Sequence, residues 1–268
     1  VEDTLKLCDG HTSTGVAIVT GREGELYILL DSPPRLLRWD VNRENGGEFA
    51  SCPGELNSPV DMTSDTGFEL LVADPYNEKI LRFDRRLEIL PPIIPDAGGE
   101  RFEPLSVCRI PDGTLFTINR TDDDIWRISR DGKATPLGWS PARSGRINAP
   151  SHIEYSTETD KLLVLDKDGL KLFSPYGMIE SSISTGVADP SGIGVAGTEA
   201  WIAGDGLACV SLTHRYLTFY APPDSLKSWG VFPAADVALM GNQRLYVLPE
   251  RGDLVLVLKI LRGGSGHP

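Results

Sequence analysis

Apolar residues in this chain come in short runs or in strict alternation with polar ones, not at the three- and four-residue recurrence of an amphipathic helix. That period-two patterning, with β-branched residues throughout, predicts strands and no long helix. Four segments share one plan: LYILLDSPPRLLRWD (26–40), LLVADPYNEKILRFD (70–84), LFTINRTDDDIWRIS (115–129) and LLVLDKDGLKLFS (162–174). Each is an apolar strand, a polar turn opened by Asp or Asn, and a second strand. AWIAGDGLACVS (200–211) and LYVLPERGDLVLVL (245–258) are weaker copies.

The turn openers Asp31, Asp74, Asn119, Asp166, Gly204 and Pro249 recur at intervals of 43, 45, 47, 38 and 45 residues. Such a period belongs to the blades of a β-propeller. About ten residues before each copy, a proline or small residue enters a short apolar strand: GVAIV, PVDMT, PLSVC, PSHIE, PSGIG and AADVA. A looser fourth strand follows most copies, in GEFASC, RLEILPPI, KATPLG, MIESSIS and RYLTFY. The expectation is an all-β, six-bladed propeller of four-stranded antiparallel blades, an architecture that leaves only short, protected edges.

The last copy lacks its fourth strand, while DTLKLCD (3–9) stands spare before the first, so the N-terminal strand is expected to complete the last blade and close the ring. One domain would then span 1–262, with units at about 11–52, 57–94, 102–138, 148–184, 188–220 and 233–261. Residues 263–268, GGSGHP, would form a flexible tail or linker.

The motif of a proline-entered strand followed by φφφADxxNxxIxRFD, sharpest over 59–62 and 71–84, resembles the NHL repeat of six-bladed propellers. The likeness is good over the first, third and fourth units and degenerate over the fifth and sixth. It implies a fold rather than an activity, because such folds host unrelated functions.

Composition narrows the function classes. The chain has 268 residues and a formal charge of -12, with no Lys/Arg cluster that outweighs the acidic background. Nucleic acid is therefore not an expected partner. No apolar run approaches the ~20 residues of a membrane helix. Four cysteines, at 8, 52, 108 and 209, show no metal-ligand spacing. Cys8 and Cys52 could form a disulfide or stay as thiols. The chain opens on Val1 rather than Met, as expected of a processed or truncated chain. The compartment stays open, with an extracytoplasmic setting favoured.

Candidate chemistry sits at a ring position. Just past the entry of each innermost strand stand Ala17, Asp61, Ser106, His152, Gly192 and Asp236, which should line the central channel near its mouth. Asp61, His152 and Asp236 fall in alternate units and could hold a divalent cation, Zn²⁺ or Ca²⁺, the one cofactor considered. A metal-bound water there would make a hydrolase or lyase centre. The Glu/Asn/Asp calcium constellation of six-bladed lactonases cannot be traced in this chain. Amidating lyases of this general fold use several zinc histidines, and this chain has only four, at 11, 152, 214 and 267.

Three interblade connections are long, 91–103, 139–149 and 221–233. They carry Phe102, Trp139, Arg143, Trp229 and Phe232, the residue types that anchor protein interfaces. TDDD (121–124) could attract Ca²⁺ or a basic partner but reads more simply as a solvated turn. NRT (119–121) is a glycosylation acceptor only in a chain secreted by a eukaryotic cell, and RGD (251–253) could present an adhesion tripeptide. With no nucleophile elbow, Walker loop or GxGxxG, the expected function is a non-catalytic interaction scaffold. It would dock a protein partner, within a larger assembly, through the face carrying the long loops. The alternatives are a metal-dependent hydrolase or lyase acting on a small ester or lactone at the channel mouth, and small-ligand or carbohydrate binding without turnover.

Overall fold

Six four-stranded antiparallel sheets follow one another along the chain in this computed structural model. It describes residues 3–6, 13–21, 23–41, 56–65, 69–140, 144, 146–241, 243–252 and 254–261. In blades 2 to 5 the strands pair in chain order, from the innermost outward: Asp61–Ser64 to Ile89–Ile93, Pro104–Arg109 to Ala134–Pro136, His152–Ser156 to Ile179–Ile183, and Gly192–Ala196 to Tyr216–Ala221. The innermost strands touch in ring order and enclose a channel.

The ring closes as the pattern predicts. Asp3–Lys6 pairs antiparallel with Leu254–Lys259, completing the sheet whose other members are Ala234–Met240 and Arg244–Pro249. The first blade takes a strand from the last unit. GEFASC lies outside the described residues, and the fourth member of that sheet is the two-residue strand Arg251–Gly252, paired with the start of the innermost strand Ser13–Thr20. Cys8 and Cys52 also lie outside the described residues, whereas Cys108 and Cys209 are buried and not joined in a disulfide.

Strands with both faces buried explain the continuous apolar runs. Leu115–Asn119 and Gly169–Phe173 are buried at every position because each blade is packed between two others. Large rings fill most of these seams. Tyr27 and Phe83 share one cluster, Phe102 meets Trp126 edge-on, and Trp139 lies flat on Phe173 with centroids 4.1 Å apart.

The turn openers serve the backbone. Asp74 is fully buried and accepts the Asn77 amide and, at 2.7 Å, the Asn77 side chain. Asn119 is buried too, bonded to the Glu103 amide, the Arg101 carbonyl and Thr121, which leaves NRT no accessible acceptor. In TDDD, Asp122 accepts the Trp126 indole N–H and Asp124 accepts the amides of Gly138, Trp139 and Ser140. The solvated-turn expectation is thus corrected: these carboxylates hold protein groups. Among the described residues one α-helix, Pro223–Trp229, interrupts the strand pattern, set by proline in its first turn and Gly230 at its end with φ 77°. No helix among the described residues is long and apolar enough to cross a membrane.

Candidate functional site at the channel mouth

All six ring residues stand on innermost strands, one from each blade. Two of them fasten neighbouring blades. The Ser106 hydroxyl accepts the Ile153 amide of blade 4 at 3.0 Å. Asp236 accepts the Ile18 amide of blade 1 and its own neighbour's, Val237, each at 2.8 Å. Gly192 has no side chain because Asp236 leans over it: a Cβ there would sit 2.2 Å from the Asp236 carboxylate. Ala17 is fully buried and part of the core between blades 1 and 2.

Asp61 and His152 behave differently. They face each other from blades 2 and 4, with Nε2 3.8 Å from Oδ1, an electrostatic contact beyond hydrogen-bond length. The His152 side chain is 14% exposed, and its Nδ1 is buried without a partner. Desolvation pulls its pKa below 6.5, only partly opposed by the Asp61 carboxylate, so the imidazole is neutral at pH 7.

Glu154 was absent from the sequence expectations, although it stands two residues after His152 and hence on the same face of the strand. Its carboxylate accepts the Thr63 hydroxyl across the channel at 3.2 Å and the Tyr155 amide. Burial, with help from the Asp61 charge, raises its pKa to about 7. Burial likewise pushes Asp236 well above the usual carboxylate range, against the pull of the amides it accepts.

A cavity of about 520 Å³ is lined from blades 1, 2, 5 and 6, by Val16, Val60, Ser191 and Ala235, each just before a ring position, and by Asp189 and Asp205. A smaller chamber of about 160 Å³ is lined by Glu154, Thr63 and Ser64.

The three expected ligands do not form a metal cage. Asp236 spends both oxygens on backbone amides, and among the described residues no group of three or more His, Cys, Asp or Glu side chains is placed to hold a metal ion. The expected partner-binding set also disperses. Phe102 and Trp139 are 2% exposed and belong to the interblade core, so they cannot anchor a partner. Arg143 lies outside the described residues. Trp229 borders a side cavity, and Phe232 is 37% exposed with the Lys227 ammonium 4.8 Å above its ring.

No family model matches the chain, and no curated protein matches it in sequence. Solved structures do match in fold. A gluconolactonase from Xanthomonas campestris superposes with TM-score 0.72 at 16% identity, covering 96% of this chain and 89% of that one. Virginiamycin B lyase from Staphylococcus aureus gives 0.68 at 15%, covering 97% and 99%. A nidogen/laminin complex gives 0.59 at 15%, covering 79% and 81%. At these identities the likeness establishes a six-bladed propeller and nothing finer. It nevertheless corrects the scaffold expectation. That expectation took a plain ring without sequence motifs as a sign of no catalysis, yet rings matching this one over nearly its whole length include a lyase and a gluconolactonase.

Proposed function

We propose that this chain is a hydrolase or lyase acting on a small ester-like or lactone-like substrate at the channel mouth, with His152 as general base and Asp61 as its charge partner. The observation that carries the reading is the Asp61–His152 pair. Asp61 directly follows Val60, which lines a cavity of ligand size, while Ser106 and Asp236 are taken up by neighbouring backbone.

A neutral imidazole can take a proton at pH 7, and the carboxylate 3.8 Å away stabilises the imidazolium that results. In hydrolysis the proton leaves water as its oxygen attacks the acyl carbon. In elimination it leaves the carbon next to the C–O bond that breaks, and its electron pair becomes the double bond. Glu154, with a pKa of about 7, holds a second proton on the same wall for the departing oxygen. The fold likeness to a lyase and a gluconolactonase supports this choice of chemistry, and the motif at 71–84 supports blades of the NHL type.

A screen of lactones and aryl esters tests the reading. Turnover should fall at least a hundredfold in His152→Ala and roughly tenfold or more in Asp61→Asn, with unchanged melting curves. Activity should hold as pH drops to 6.5 and fail only below it, through the lowered His152 pKa. Turnover that survives His152→Ala would end the proposal. Loss on chelation and recovery with Zn²⁺ or Ca²⁺ would move the chemistry to a bound cation.

A further inference from the structure

The outermost strand of each blade is a sheet edge, and one side of its backbone has no neighbouring strand to pair with. Proline, charge or short length keeps such an edge from joining another chain. Among the described residues, five of the six outermost strands carry one of these guards. Ile89–Ile93 has Pro91 and Pro92, Ala134–Pro136 is three residues long, and Ile179–Ile183 has Glu180. Asp3–Lys6 has a charge at each end, and Arg35–Asp40 has three charged residues.

The sixth, Tyr216–Ala221 of blade 5, has none of them. Its sequence, YLTFYA, is rich in β-forming residues and free of charge and proline, the composition that pairs most readily with another strand. Tyr216 to Tyr220 are all exposed. A bulge at Thr218 does not set this strand apart, since the outer strands of blades 2 and 4 shift register as well.

Charge indicates which strand such an edge takes. The chain carries -12, so two copies repel one another over most of their surface. This strand is uncharged, and its flanks are opposite in sign. Arg215 precedes it and Asp224 follows it, both exposed. A second copy laid antiparallel about a two-fold axis near Phe219 brings Arg215 of each chain beside Asp224 of the other. Parallel pairing would instead set like charge against like.

We propose that Tyr216–Ala221 pairs antiparallel with the same strand of a second copy, giving a two-fold dimer with the two rings side by side. The contact uses none of the six ring residues and is independent of any chemistry at the channel mouth.

Sedimentation equilibrium of the full chain at about 150 mM salt tests this. The mass should rise from one chain to two, with a dissociation constant on the order of 10–100 μM for a contact at the rim. Phe219→Lys sets two ammonium groups against each other near the axis and should weaken the dimer about tenfold or more. Arg215→Glu and Asp224→Lys each set like charges together and should weaken it roughly fivefold. An equimolar mixture of those two variants sets opposite charges together at both ends, and should restore the parent affinity to within about twofold. Melting curves establish that each variant is folded. A parent chain that stays monomeric to about 1 mM overturns the proposal. So does unchanged affinity in Phe219→Lys, or a mixture no tighter than its components. Association that runs past the dimer overturns it too, because a two-fold contact closes on itself. A monomeric chain that binds a peptide of residues 214–224 would assign the edge to another protein's strand and overturn it equally.

Discussion

Glu154 pays an electrostatic penalty that pH can switch. Its carboxyl has a pKa near 4.5 in the unfolded chain and about 7 in the fold, so between those values the folded state holds the extra proton. Stability from this group is therefore greatest below pH 4.5, falls as pH rises, and is lowest above pH 7. Glu154→Gln removes the penalty and keeps an acceptor for Thr63. Its melting temperature relative to the parent should rise between pH 4.5 and 8, by the equivalent of roughly 2–3 kcal/mol. A difference that stays flat with pH would show that Glu154 remains charged. His152 shifts stability the opposite way below pH 6.5, but equally in both proteins, so it cancels. Trp139 gives the second residue-level expectation. Stacked on Phe173 and 2% exposed, it should cost about 3–5 kcal/mol when cut to alanine, measured by denaturant unfolding. A surface anchor would cost well under 1 kcal/mol.

Among the elements, the second and third strands were legible because both faces are buried, which writes long apolar runs into the sequence. The outer strands were less so: Ile89–Ile93 and Tyr216–Ala221 are largely exposed, and exposure leaves composition weakly constrained. The helix Pro223–Trp229 was missed because seven residues are too few to show a stripe; Pro223 and Gly230 were its only local marks. Asp124 shows how a turn acid works at this scale. It ties residues 138–140, the start of the connection to blade 4, through three amides. Asp124→Ala should cost about 2–4 kcal/mol and speed proteolysis in 139–149, detected by mass spectrometry of limited digests. Equal digestion rates would mean the connection is held by other contacts.

For the whole molecule, closure depends on the strand Asp3–Lys6, which covers the edge of Leu254–Lys259. Removing residues 1–6 leaves that edge unpaired. The truncated chain should melt several degrees lower and associate at high concentration, as followed by light scattering. Unchanged melting would mean the ring is held by blade packing alone.

The sequence by itself determined the repeat, its number and order, the all-β class and the N-terminal closure, and it named Asp61, His152 and Asp236 as ring residues. Those properties are periodic, and periodicity survives in one dimension. Tertiary structure alone decided which of those residues are available. Asp236 is taken by the Ile18 amide from the far end of the chain, Ser106 by the next blade, and Trp139 by Phe173, while Asp61 and His152 are left facing each other. Competition among partners for a buried polar group depends on distances across the ring, and no spacing along the chain records them.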